Sequence, residues 1–548
     1  MADSVAVLGC GVGGMTAAHE LAERGFSVAV YEQRPVAGGK ARSMDAPGTG
    51  TAGRRDLPGE HGFRFIPQFY RHLPDTLGRI PYENQANGVL GNLVEATRAQ
   101  IARADGPPLV WPTVFPTTLD DVRVALTTLL GPRIDLPPRD LAHFLTRMVI
   151  FLTSCEERRF AEYEPMGWWE FVGAAHRSPA YRKFLADGLS RTLVAAKAHE
   201  MSARTGGDIL AQLILDMNRP FGHADRLLDG PTSDVWIDPW LAHLRSLGVD
   251  VHTDAHVDAI RCRDGRVASV TVTENGAANE VRADHYVVAL PVEIMTRLVT
   301  PDLKKAEPRL AALGRLRTRW MNGIMLYVDR DVPVVHGHTI YIDSPWALTS
   351  ISQHQFWPRV DLEAFGDGRV EGILSVDVSD WESPGLVYDK PAMQCSPSEI
   401  RDEVWAQLKL HLDRPGSDQL EDANLLGFFL DPDIEFPNPT GATNLEPLLI
   451  NTAGSWTHRP DAVTAIDNLF LASDYVRTHT DLATMEGANE AARRAVNGVL
   501  DAAGCNERRC RIWARSEPIA FAPARAYDLV RFKLGLGHQG ALLRTLES

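Results

Sequence analysis

The stretch SVAVLGCGVGGMTAAHELAERGFSVAVYE (Ser4 to Glu32) constrains the fold more than any other part of the chain. SVAVLG is a short valine-rich run that ends on glycine, the pattern of a buried strand entering a turn. Gly9, Gly11 and Gly14 complete G-x-G-x-x-G, with Val12 and Gly13 inside it. MTAAHELAERG then repeats apolar residues at helical spacing and stops at Gly25. SVAVYE is a second strand that ends on Glu32, followed by Gln33. Strand, glycine turn, helix and strand in about thirty residues is the context this motif requires. Gly9 permits the tight turn, Gly11 lets backbone approach a pyrophosphate, and Gly14 lets the helix settle on the sheet. The helix N-terminus supplies amide donors and a partial positive charge. Glu32 accepts hydrogen bonds from a ribose diol and repels a 2′-phosphate, which disfavours NADP as the bound dinucleotide. A glycine turn without a ligand is the bland alternative, and the complete unit with its acid argues against it.

Four residues then exceed what a simple nucleotide unit needs: Gly38, Gly39, Lys40 and Arg42. A glycine pair offers bare backbone, and an arginine offers a charged fork to phosphate. This arrangement resembles the entry of the flavin amine oxidase superfamily, and the resemblance implies FAD. Gly59-Glu60-His61-Gly62-Phe63, with the aromatic and proline run after it, resembles the carotenoid (phytoene) desaturase branch. By that resemblance this loop passes beside the isoalloxazine ring. Farther on, NLFLASDYVRTHTDLATMEGANEAARRAVNGVL (Asn468 to Leu500) matches the superfamily's closing strand, acid and helix. The resemblance places Asp474 against the ribityl and pyrophosphate region. It aims the helix that opens at Thr484 and Met485 toward the pyrimidine end of the flavin, and it puts the backbone of Val257 on the adenine. The chain departs from the family's usual Gly-Asp pair with Ser473-Asp474, which adds bulk along the cofactor's path.

The expected fold is α/β: a Rossmann-like FAD-binding domain of the GR2 flavoprotein type, joined to an α+β substrate domain with a mixed sheet and a helical region. With 548 residues the chain is too long for one compact core. The expected division is FAD-binding at 1–82, a mostly helical substrate region at 83–229, and FAD-binding again at 230–300. A sheet-bearing substrate region at 301–460, the closing FAD segment at 461–505 and an extension at 506–548 follow. Within 235–272 the pattern reads helix, strand, strand, turn at Asp264-Gly265, strand.

A net charge of -15 argues against nucleic acid as a partner. No stretch approaches a membrane span; FLTRMVIFLTS is short and contains Arg147. The N-terminus lacks an export signal, and six scattered cysteines show neither zinc spacing nor disulfide density, so the expected location is cytoplasmic. The basic C-terminal stretch reads as a docked helix, with a peripheral membrane contact as the sharper alternative.

No nucleophile–base pair, metal-binding motif or second dinucleotide turn stands out, so no metal is expected; the desaturase resemblance implies that a bound flavin carries the chemistry. His61 is the first candidate for handling a proton. Glu60 is the second, and equally a candidate internal anchor. Trp320, Trp346, Trp357, Trp381 and Trp405 read individually as core, while a largely apolar pocket is expected for the substrate. The desaturase resemblance implies hydride transfer between flavin N5 and an apolar polyene or isoprenoid, with an external electron acceptor or donor. The alternatives are an FAD-dependent cyclase of a polyene in natural-product biosynthesis, such as a polycyclic tetramate macrolactam, then a flavin amine oxidase, and last a non-catalytic flavoprotein-like module.

Overall fold

The computed structural model describes residues 3–112, 136–188, 190, 196–216, 225–414, 419–438, 441–538 and 540. The opening stretch forms strand Ser4–Leu8, helix Val12–Ala22 and strand Ser27–Tyr31. They sit in a five-stranded sheet ordered Asp250–His252, Ser27–Tyr31, Ser4–Leu8, His285–Val288, Leu469–Leu471. Every pairing in it is parallel, which explains the near-continuous apolar runs in these segments. Helix Val12–Ala22 is buried from Val12 to Leu21 because helices Met485–Ala502 and Asp238–Ser246 both pack against it. Its buried polar groups are paired: Trp240 Nε1 donates to His19 Nδ1, and Glu20 meets Arg24, Arg79 and Arg493.

The 235–272 pattern folds as expected. Helix Asp238–Ser246 leads to strands Asp250–His252, Ala255–Arg263 and Arg266–Glu274. Asp264 and Gly265 both take positive φ, 51° and 75°, as a two-residue turn between twisted strands requires.

The second large sheet has seven strands, ordered Leu425–Leu430, Asn322–Val328, Gly372–Val378, Thr349–Ser352, Thr339–Tyr341, Arg98–Arg103, Gly106–Pro112. It is antiparallel except where Thr339–Tyr341 runs parallel to Arg98–Arg103. Two of its strands thus come from the stretch expected to be mostly helical. That stretch also supplies helices Pro138–Thr153 and Ala203–Asp216. The expected helix LDDVRVALTTLLG lies outside the described residues.

The C-terminal helix Ala522–Lys533 docks on the helical region through Asp528, which accepts from Arg158 Nε and from the Cys155 amide. Among the described residues no helix is long and apolar enough to cross a membrane. Cys505 and Cys510 are both free thiols.

Candidate functional site

The two glycine turns meet. Gly11 and Gly38 form a parallel bridge, the Gly38 amide donates to the Cys10 carbonyl at 2.8 Å, and a Cβ on Gly39 would lie 3.0 Å from the Gly11 Cα. Gly38 and Gly39 hold φ of 106° and 54°, where a side chain is strained. Beside this junction stands Glu32, 6% exposed, whose carboxylate accepts from the amides of Cys10 and Arg34. Burial pushes its pKa up, and those two amides pull the other way. The Ala255 amide donates to the Glu32 carbonyl and so pins the strand that carries Val257 alongside.

These groups line one end of a cavity of about 430 Å³. The same cavity is lined by Gly9, Gly11, Val12, Gly13, Gln33, Gly38, Gly39 and Lys40, by His61, Gly62 and Phe63, and by Val257, Asp474, Thr484 and Met485. Segments hundreds of residues apart therefore share one wall. Thr484 caps the closing helix by accepting from the Gly487 amide at 3.1 Å, and Met485 and Ala488 turn that helix end to the cavity. Ser473 also lines the cavity, with its hydroxyl on Asp474 Oδ1 at 3.2 Å. Arg459, fully buried, fixes this turn by donating to the carbonyls of Asp474, Tyr475 and Val476.

Four candidates do not line the cavity. Gly14 faces the glycine turn, where a Cβ would meet the Gly9 oxygen at 1.9 Å. Gly59 lies against the Phe429 ring, 2.5 Å from where its Cβ would be. Arg42, 1% exposed, turns away from the cavity. It donates to the Gly39 carbonyl at 2.6 Å and to Asp433 at 2.5 Å, and it pairs with Glu446 at 3.2 Å. Its guanidinium braces the second glycine turn from behind. Glu60 is an internal anchor: it accepts from the Thr232 amide and hydroxyl, both at 2.9 Å, with Arg64 3.7 Å away. Burial pushes its pKa up to about 7, but it has no face on the cavity. His61 does, with Nδ1 2.5 Å from Asp431 Oδ2, which Asn322 also holds.

Phe65, Phe69, Ile209 and Leu213 also line the cavity, and Leu290, 3.3 Å from a Cβ built on Gly9, lines it beside the first glycine turn. The five tryptophans singled out by the sequence do not line it. Also on the lining, and not among the sequence candidates, are Arg34, Arg64, Tyr70, His338, Asp377 and Glu446. For Asp377 a signal existed: an acid inside the apolar run GILSVDV, every residue of which is buried. His338 and Glu446 carried none.

The family model for flavin containing amine oxidoreductase matches residues 12–500. Among curated proteins, the chain is 23% identical over 534 residues to 15-cis-phytoene desaturase of Synechococcus elongatus, covering 95% of this chain and 100% of the relative. It is 26% identical over 387 residues to the flavin-dependent L-tryptophan oxidase RebO of Lentzea aerocolonigenes, covering 67% and 70%. Among solved structures, cyclohexylamine oxidase from Brevibacterium oxydans shares the fold with a TM-score of 0.61 at 15% identity, covering 92% of this chain and 100% of that one. The chain therefore belongs to the flavin containing amine oxidoreductase family, as a flavin-dependent oxidoreductase whose cofactor is FAD.

Proposed function

We propose that this enzyme is of the phytoene desaturase-like type and acts on a polyene or isoprenoid skeleton. The residues present fit the flavin dinucleotide. A Cβ on Gly11 would meet nothing in the protein closer than the Gly39 Cα at 3.7 Å, so the backbone there is bare toward the cavity and not toward a packed neighbour. In this reading the Gly11 and Gly38-Gly39 turns hold the pyrophosphate and Glu32 takes the ribose diol. Val257 meets the adenine, Asp474 holds the ribityl and pyrophosphate region, and the helix N-terminus at Thr484-Met485 faces the ring's polar end. When bound, FAD supplies a two-electron acceptor at ring N5.

The observation that carries the substrate assignment is the group of aromatic and aliphatic side chains on the same cavity, Phe65, Phe69, Ile209 and Leu213 among them. It excludes water and orients a long apolar skeleton. His61, fixed by Asp431, stands where a substrate proton can be held. The amine-oxidising alternative is disfavoured by placement. Among the described residues Lys40 is the cavity's lysine, and it lies at the glycine-turn end, 3.8 Å from Glu293. With no second dinucleotide turn, electrons leave to or arrive from an external partner such as oxygen or a quinone.

The test is incubation of the yellow protein with linear polyenes and isoprenoids, with product masses read by mass spectrometry. Loss of two hydrogens supports the proposal. Unchanged mass with new rings assigns the chain to polyene cyclisation instead, and turnover of amines alone contradicts it.

A further inference from the structure

The apolar chamber is not apolar throughout. Asp377 stands on strand Gly372–Val378, directly opposite Thr349 of the neighbouring strand, and both line the chamber. His338 immediately precedes strand Thr339–Tyr341, which pairs with Thr349–Ser352 on its other edge, and it lines the chamber as well. These three groups form a polar strip on one sheet. Asp377 is 8% exposed and lies against Gly62 of the His61 loop: a Cβ on Gly62 would be 2.6 Å from its Oδ1. The Phe63 amide donates to its carboxyl, and Arg64, held by the Lys40 and Ala41 carbonyls, lies near enough to act on its charge. Yet Asp377 Oδ1 has no hydrogen-bond partner, and neither does His338 Nε2; both atoms are shut off from bulk water. His338 packs between Phe63 and Phe65, with ring centroids at 5.4 and 5.0 Å.

Buried polar atoms are normally paired, and leaving them unpaired is costly. Both side chains line the chamber, and a pure hydrocarbon there would offer neither of them a polar partner. We infer that Asp377 and His338 are a substrate-recognition pair, and that the molecule they select has an apolar skeleton bearing a hydroxyl or amide group, rather than being an unfunctionalised hydrocarbon. This rests on the reading of the chamber as the substrate site. The protonation states suit the role. Burial pushes the Asp377 carboxyl up to about 7, so near neutrality it presents both a donor and an acceptor form. Burial pushes His338 down to about 4, so it is a neutral imidazole with one donor and one acceptor nitrogen.

The experiment titrates the FAD-loaded protein with a matched pair of probes, farnesol and β-farnesene, and follows the flavin absorbance. Partition out of water favours the hydrocarbon, so a preference for the alcohol has to come from the site. Farnesol is expected to bind at least about tenfold more tightly. That ratio is expected to fall toward one in Asp377→Ala and in His338→Phe, with flavin content unchanged. Equal or tighter binding of β-farnesene to the unaltered protein overturns the inference, as does a ratio that survives both substitutions. A flavin that responds to neither probe contradicts the chamber reading itself and takes the inference with it. A response to β-farnesene alone leaves that reading standing and overturns only the polar pair. Asp377→Asn, which keeps the shape and a hydrogen-bonding group, is expected to retain discrimination and so separates lost polarity from lost packing.

Discussion

At the residue scale, the same amino-acid type does opposite work within a few positions. Gly14 and Gly13 are demanded by packing: a Cβ would meet the Gly9 oxygen at 1.9 Å or the Ala472 oxygen at 2.0 Å. Gly11 is not, since its backbone is extended at φ -78° and ψ -175° and its nearest obstacle is 3.7 Å away. Glu60 shows a second contrast, between a perturbed carboxyl and a reacting one. Its pKa is raised in the folded protein to about 7 by burial. Against an unfolded value of about 4.3, its contribution to stability is therefore complete below about pH 4 and is lost as pH rises through about 7. Glu60→Gln keeps an acceptor for Thr232 and removes the charge. The variant is expected to gain on the parent, by on the order of 2 kcal/mol, between about pH 4.5 and pH 8. Thermal unfolding across that range checks it, and parallel curves would show that folding leaves the Glu60 pKa at its unfolded value.

At the scale of elements, the closing helix Met485–Ala502 depends on its first turn. Thr484 accepts from the Gly487 amide, and the buried Tyr70 hydroxyl hydrogen-bonds to Thr484 as well. Thr484→Ala is expected to cost about 1 kcal/mol of stability, read by denaturant unfolding, while Thr484→Ser recovers most of it. What the sequence disclosed follows from range. The strand, glycine turn, helix and strand at the N-terminus, and the Asp264-Gly265 hairpin, are written in neighbouring residues, where periodicity and turn chemistry act. Arg42 is different: its charge is spent on Asp433, 391 residues away, so nothing beside it in the chain distinguished a brace from a phosphate ligand. Glu60 was ambiguous for the same reason, because its partner Thr232 comes 172 residues later. The strands at 98–112 were hidden because they complete a sheet whose other members come from 322–430.

At the scale of the molecule, the cavity draws its glycine-lined wall and its wall at Thr349 and Asp377 from different sheets, the first parallel and the second mostly antiparallel. The C-terminal extension ties to both halves. Its Trp513 amide donates to His72 Nε2 at 3.0 Å, and His72 Nδ1 meets Glu486 of the closing helix at 2.7 Å. Farther along, Asp528 anchors helix Ala522–Lys533 on Arg158. Removing one member of a buried ion pair strands the other. Asp528→Ala is thus expected to expose the helix to proteases near Lys533 and Arg531 under conditions where the parent resists, as limited proteolysis with mass mapping would read; equal resistance would show that the helix is held without the pair. Every cofactor role assigned above requires FAD to sit at the cavity's glycine-lined end. The most direct measurement is the ratio of flavin to protein absorbance in purified Gly11→Val, with Gly14→Val as a packing control. Gly11→Val is expected to be folded, with a cooperative thermal transition, and colourless, whereas Gly14→Val fails to yield folded protein. A folded Gly11→Val protein that carries its full complement of flavin would contradict the account.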